Sequence, residues 1–105
     1  MREPDIEVMF SFTSSNRKAP YQDGYRCDHL VHSDYLTCGQ HKYYNPDGIP
    51  PMGTGYGTIT FIQPEAYPGS LFTGKVIPLQ EGARVIGSAT IMTVFNPILQ
   101  SRPST

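Results

Sequence analysis

The clearest pattern in the chain is an alternation of apolar and polar residues near its start. Between residues 5 and 13 the apolar side chains occupy every second position: Ile6, Val8, Phe10 and Phe12. This period of two is typical of a β-strand with one buried and one solvent-facing side. Residues 14–20 are small, polar or basic and end in a proline, which indicates a loop after this strand.

Five further segments carry strand character. They are rich in β-branched, aromatic or alternating apolar residues and cover 26–32, 38–44, 57–62, 71–77 and 84–95. In the first of them, Cys27, His29 and Val31 share one face. Proline and glycine interrupt the chain between the strands, so 49–56 is predicted to be loop and 78–82 a turn. Small residues at 87–89 allow a neighbouring strand to approach closely.

The composition agrees with a small all-β protein. Ten glycines and ten prolines among 105 residues make long helices improbable, and the length is that of one domain. Turn-linked strands favour antiparallel pairing, because parallel crossovers would require helices. We therefore predict a single domain over 1–105, with six antiparallel strands in a closed β-barrel or a β-sandwich from about 5 to 96 and a flexible tail over 97–105.

Three segments resemble a known family. Residues 19–26, Ala-Pro-Tyr-Gln-Asp-Gly-Tyr-Arg, resemble the Pro-aromatic-x-x-Gly-Tyr-Arg segment of the third domain of elongation factor Tu. Residues 57–64, which end in Ile-Gln-Pro, are similar to a strand of that domain ending in Ile-His-Pro. Residues 81–89 look like its closing Glu-Gly-Gly-Arg hairpin and strand. The order and spacing also agree, and the resemblance implies a Greek-key-type barrel.

The resemblance implies a binding function without catalysis. In the family this domain packs on the GTPase domain, contacts the T stem of aminoacyl-tRNA and helps to bind the exchange factor. This chain has no phosphate-binding Gly-x-x-x-x-Gly-Lys-Ser/Thr motif, so we expect no bound nucleotide and no enzyme activity. We expect a module linked to translation, with a protein as its most plausible partner. The candidate binding residues are Arg17, Lys18, Tyr25, Arg26, Glu81, Gly82 and Arg84.

RNA binding is an alternative for the same residues. The hairpin at Arg84 corresponds to one that lies near the tRNA backbone in the family, and an arginine beside backbone amides suits a phosphate. The formal net charge of −1 argues against this alternative, because nonspecific nucleic-acid binding normally requires a basic surplus. No long apolar window or apolar leader is present, so we expect a cytoplasmic protein that binds no membrane.

Both cysteines and all three histidines fall between residues 27 and 41. Thiolates and imidazoles are the ligands that zinc prefers, and the alternative of a zinc-stabilised domain would use Cys27, His29, Cys38 and His41. The competing interpretation is ordinary core packing with no cofactor, because buried cysteine acts as a small apolar residue and buried histidine commonly finds one hydrogen-bond partner. We expect the packing interpretation, with free thiols in a reducing compartment.

The seven tyrosines fall mostly at predicted strand ends and in loops. They are Tyr21, Tyr25, Tyr35, Tyr43, Tyr44, Tyr56 and Tyr67. Tyrosine gives a large contact area at low entropy cost, so a group of them at one rim would suit a protein interface. Barrel ends also need aromatic caps, and this structural role is expected for at least part of the set.

Overall fold

The computed structural model describes residues 3–13, 17–32 and 35–101. Residues 14–16 of the predicted loop and 102–105 of the predicted tail lie outside the described residues. The strands are β1 (Ile6–Phe12), β2 (Arg26–His32), β3 (Tyr35–Tyr43), β4 (Thr54–Phe61), β5 (Val76–Glu81) and β6 (Arg84–Val94). A single 3-10 turn, Pro64–Ala66, lies between β4 and β5.

The six strands form one closed barrel in which every pairing is antiparallel. Around the barrel the order is β1, β4, β3, β2, β5, β6, and β6 returns to pair with β1. Strands β2, β3 and β4 form a meander, and β1 reaches the side of β4 by a long connection, which is the Greek-key arrangement. The prediction of an all-β, six-stranded antiparallel barrel is confirmed. Within the described residues each strand pairs with a neighbour on both sides, although β2 and β5 share only two residue pairs.

Alternation along the strands fills the barrel interior. In β1 every second residue is buried, as the sequence predicted. Phe12 stacks on the ring of Tyr21, with centroids 3.7 Å apart, and closes one end of the core. Gly87 in β6 lets β1 come close, because a Cβ at this position would lie 2.2 Å from the carbonyl oxygen of Ser11. The predicted close approach at this glycine is therefore confirmed.

The strand boundaries differ from the prediction most at β5. The sequence placed a strand at 71–77 and a turn at 78–82, which is right only for 76–77 and for Gly82, because β5 runs from Val76 to Glu81. Gly74 has a φ of 92°, which a turn requires, and Leu71 makes only an isolated bridge to Gln100. The strand continues through Pro78, because the ladder to β2 covers only Leu79 and Gln80. Pro78 lies outside that ladder, so the N–H that proline lacks is not needed there as a donor.

Two other strands start earlier than the sequence indicated. Strand β3 begins at Tyr35 and β4 at Thr54, inside the stretch predicted to be loop. The chain also stays attached to the barrel beyond residue 96, where the tail was expected to begin. Leu99 is fully buried, and Ser101 donates a backbone hydrogen bond to the carbonyl of Leu71. Among the described residues, no helix has the length and apolar character of a membrane span.

Candidate functional site

Three metal-binding side chains converge inside the barrel. Cys27 and His29 project inward from β2, and His41 projects inward from β3. The Nε2 atoms of the two histidines are 2.8 Å apart. The sulfur of Cys27 lies 3.9 Å from Nε2 of His29 and 3.8 Å from Nε2 of His41. All three residues are buried, and we call them the Cys/His/His cluster.

The hairpin register and one glycine create this cluster. Cys27 pairs with Gly39 and His29 pairs with Thr37, so His41 lies two residues beyond the partner of Cys27 on the same inward face. Gly39 leaves the space that the imidazole of His29 occupies. A Cβ at position 39 would lie 2.9 Å from Cε1 of His29 and 2.9 Å from a methyl group of Ile59. A larger residue at this position would displace the ring.

The second nitrogen of each histidine also has a partner. Nδ1 of His29 lies 3.1 Å from the carbonyl oxygen of Thr37. A carbonyl oxygen only accepts, so Nδ1 carries the hydrogen and Nε2 presents its lone pair to the cluster. Nδ1 of His41 lies 2.8 Å from the hydroxyl of Tyr43, which can donate or accept. Among the described residues, no buried side-chain nitrogen or oxygen lacks a hydrogen-bond partner.

Burial keeps the cluster electrically neutral. Desolvation lowers the pKa of His29 from 6.5 to about 4. The pKa of His41 lies well below 6.5, because of burial and, to a lesser extent, because of the neighbouring His29. Burial raises the pKa of the Cys27 thiol, and the nearby carboxylates of Glu81 and Asp28 add to this effect. At neutral pH the cluster without metal is a thiol and two neutral imidazoles.

Cys38 does not join the cluster, although the zinc hypothesis used it as a ligand. Adjacent strand residues face opposite sides, so a spacing of three places Cys38 on the outer face and His41 on the inner face. Both cysteines are free thiols. The four-ligand zinc set is therefore not assembled, whereas the other three of its members do come together.

A second group of predicted residues meets at one end of the barrel. The hydroxyl of Tyr25 donates to the carboxylate of Glu81, and Arg84 Nη2 lies 3.3 Å from Oε1 of the same carboxylate. The guanidinium carbon of Arg17 lies 5.3 Å from the centroid of the Tyr25 ring and 4.4 Å from that of Tyr21. We call Arg17, Tyr25, Glu81 and Arg84 the polar cap. It covers the Cys/His/His cluster, because the Tyr25 and His41 rings are 5.6 Å apart.

The remaining predicted binding residues have separate positions. Gly82 forms the β5–β6 turn with a φ of 60°, which a two-residue hairpin loop of this kind requires at its first position. Lys18 is exposed beside Arg17. Arg26 lies on the outer face of β2, where its Nη2 is 3.4 Å from the side-chain oxygen of Gln40. Four of the seven predicted binding residues therefore meet in the polar cap, whereas Lys18, Arg26 and Gly82 lie outside it.

An uncharged row of side chains crosses the outside of four strands and ends at Tyr44, the residue after β3. Val76 is opposite Thr90, which is opposite Met9, which in turn is opposite Tyr56. The backbone of Tyr44 continues the row by donating to the carbonyl of Tyr56. We call these five residues the outer belt. Val76, Tyr56 and Tyr44 are each more than half exposed, at 57%, 52% and 55%.

Part of the outer belt also lines a groove that contains one acidic residue. The groove is lined by Glu7, Met9, Tyr44, Asn45, Thr54, Gly55, Tyr56 and Met92. Glu7 accepts a 2.6 Å hydrogen bond from the hydroxyl of Tyr44 and a 3.1 Å hydrogen bond from Thr93. The Tyr44 ring is thereby held in place, and the bond to Glu7 raises the pKa of its hydroxyl.

Sequence reasoning missed several contributors to both sites. Tyr43 supports His41 with its hydroxyl and shares the inward parity of His41 on β3, so strand alternation was the available signal. Thr37 supports His29 through its backbone carbonyl, which residue type does not reveal. Tyr56 was assigned to a loop, which concealed its place in the outer belt. The cross-strand register that aligns it with Met9 carries no local sequence signal.

Known proteins provide no assignment for either site. No family model matches this chain. No curated protein matches it either.

Proposed function

We propose that this protein is a non-catalytic protein-binding module. The observation that carries the proposal is the outer belt, an uncharged row across four of the six strands of a closed barrel that ends at Tyr44. Tyrosine and methionine are enriched at protein interfaces, and charged residues are depleted at interface centres. The outer belt and Met92 have this composition, whereas Glu7 lies at the side with its carboxylate already hydrogen-bonded.

The belt is also partly ordered before any partner binds. The hydrogen bond between Tyr44 and Glu7 fixes one aromatic ring, and a closed barrel holds the strands beneath it in a single register. A preorganised surface loses less side-chain entropy on association than a flexible one. The exposed rings of Tyr44 and Tyr56 suit the role of anchors that insert between side chains of a partner.

For the partner we propose a protein of the translation apparatus. This step is supported by the three segments that resemble, in the same order along the chain, segments of the third domain of elongation factor Tu. Such a module would compete with the factor or mimic it at a protein surface. Free thiols at Cys27 and Cys38 agree with the cytoplasmic location that this role requires.

RNA binding receives less support from the geometry. The guanidinium of Arg84 is paired with Glu81, so part of its charge is neutralised before any phosphate arrives. Arg17 lies over tyrosine rings rather than at a free basic surface. Salt-dependent tRNA binding that is lost in Arg84→Ala would favour RNA over protein as the partner.

Photo-crosslinking tests the protein-binding proposal. A photoreactive amino acid is placed at position 56 in the outer belt, or at the control position 62, where Ile62 is exposed on another part of the surface. We expect a discrete crosslinked protein from position 56 in cell lysate and none from position 62, with a translation protein identified by mass spectrometry.

A binding measurement with the purified partner completes the test. Tyr56→Ser should weaken the interaction at least about tenfold, which corresponds to an anchor residue, and Ile62→Ser should leave it unchanged. Equal crosslinking from both positions, or an unchanged affinity in Tyr56→Ser, would refute the outer belt as the interface.

A further inference from the structure

The Cys/His/His cluster brings three metal-binding atoms around one point. The three donor atoms form a triangle with sides of 2.8, 3.8 and 3.9 Å. A circle through them has a radius of about 2.1 Å, against about 2.0–2.1 Å for metal–nitrogen bonds and about 2.3 Å for metal–sulfur bonds. An ion at the centre would lie at bonding distance from all three atoms. The two imidazole rings, whose Nε2 atoms face each other with ring centroids 5.0 Å apart, would have to turn towards it.

The coordination number favours one class of ion. Structural zinc is held by four ligands, and no fourth cysteine, histidine or carboxylate joins the cluster in the part of the chain described by the structure. Trigonal sites with two imidazoles and one thiolate are typical of copper, and soft thiolate ligands select its monovalent form. Cys38, which would have supplied a second sulfur, faces outward.

Charge balance leads to the same ion. A thiolate and two neutral imidazoles carry a total charge of −1, so a monovalent cation leaves the buried site neutral. A divalent cation would leave one uncompensated positive charge in the barrel interior, which is strongly unfavourable. The carboxylate of Asp28 lies on the outer side of β2, and that of Glu81 is already engaged by Tyr25 and Arg84.

The surrounding hydrogen bonds can switch between two arrangements. Without metal, the hydroxyl of Tyr43 donates to Nδ1 of His41, and Nε2–H of His41 donates to Nε2 of His29. With metal, Nδ1 of His41 carries the hydrogen and donates to the oxygen of Tyr43, and both Nε2 lone pairs become ligands. Cys27 loses its thiol proton to solvent as the metal–sulfur bond forms, so binding releases a proton.

Access to the cluster is from the Cys27 side. Cys27 is 7% exposed, whereas His29 and His41 are 0% and 1% exposed. The polar cap lies above this side, and its Tyr25 ring contacts His41. An ion transferred from a donor protein or chelator would reach the sulfur first and then the two imidazoles.

We propose that Cys27, His29 and His41 form a buried trigonal binding site for Cu(I). The site is independent of the outer belt, because its three residues face the interior whereas the belt residues face solvent. Failure of either proposal therefore leaves the other intact.

The test is a metal titration of the full chain. Reduced, metal-free protein is titrated without oxygen against a chromophoric Cu(I) chelator, and in parallel with Zn(II). We expect the chain to take up one equivalent of Cu(I), to bind it more tightly than Zn(II), and to melt at a higher temperature with copper. No retention of Cu(I) against the chelator, or tighter binding of Zn(II), would overturn the assignment.

Two thiol variants provide a matched comparison. Cys27→Ser should abolish retention of copper, and Cys38→Ser, which removes the outward thiol of the same hairpin, should leave it unchanged. Tyr43→Phe removes the partner of His41 and should weaken binding about ten- to a hundredfold. Equal losses in the two cysteine variants would show adventitious thiol binding and refute the site.

A measurement on the unmodified protein does not depend on variants that fold. X-ray absorption of the copper-loaded chain should give one sulfur and two nitrogen neighbours, at about 2.0–2.3 Å. A coordination shell of two sulfurs, or of nitrogen alone, would contradict the proposed ligands.

Discussion

The buried histidines make the metal-free protein sensitive to mild acid. Burial lowers the pKa of His29 from 6.5 to about 4, and the hydrogen bond to the Thr37 carbonyl and the charge of Asp28 only partly offset this effect. His41 shifts in the same direction. In the folded state both rings stay neutral, whereas in the unfolded chain they take up protons as the pH falls below 6.5.

The size of the effect follows from the shift of His29. A fall in pKa from 6.5 to about 4 corresponds to a loss of about 3 kcal/mol when it is fully expressed, and about 2 kcal/mol is already lost at pH 5. The sign is fixed, because the unfolded state binds more protons in this range. Stability is therefore fully present above pH 6.5, declines below it and levels off below about pH 4. His41 adds a loss of the same sign.

Urea unfolding with a metal chelator at about pH 7.5 and pH 5 measures this loss, in a window where ordinary carboxylates stay mostly ionised. We expect the free energy of unfolding to fall by about 2–4 kcal/mol. The exposed His32 provides the control, since His32→Gln should keep the same pH dependence and His29→Gln should reduce it. A fall of less than about 0.5 kcal/mol in the unmodified chain would refute the reasoning.

Three further substitutions test the packing. Gly87→Ala should destabilise the protein by about 3 kcal/mol in urea unfolding, because its methyl group would lie 2.2 Å from a β1 carbonyl oxygen. The control Ser88→Ala, on the outer face, should cost under about 0.5 kcal/mol. Equal costs for the two variants would contradict the close approach. Lys75→Met should lower the free energy of unfolding by about 1–3 kcal/mol, since Nζ donates to two backbone carbonyls at 2.6 and 2.8 Å. An unchanged unfolding midpoint would show that water replaces the ammonium group at these carbonyls. Arg84→Ala should change stability by less than about 1 kcal/mol, because its pair with Glu81 is exposed; a larger shift in thermal melting would count against this.

Local sequence determined the fold class and several strands. Alternation defined β1 and the inward face of β2, because a period of two directly reflects which side chains the barrel buries. Placement failed at β5, where Pro78 suggested a break. Only the partner strands decide whether a missing N–H matters, and the short ladder between β2 and β5 makes it tolerable there.

The candidate sites depended more on tertiary structure. Strand parity could have separated Cys38 from His41, but no local pattern shows that the ligand atoms of Cys27, His29 and His41 come within 4.8 Å of one another. That approach depends on the β2–β3 register and on Gly39 leaving room for a ring. The outer belt likewise joins residues from four strands and the residue after β3. The sequence alone identified which residue types could form a site. Barrel closure and strand register decided which of these residues come together, and both arise from contacts between distant segments.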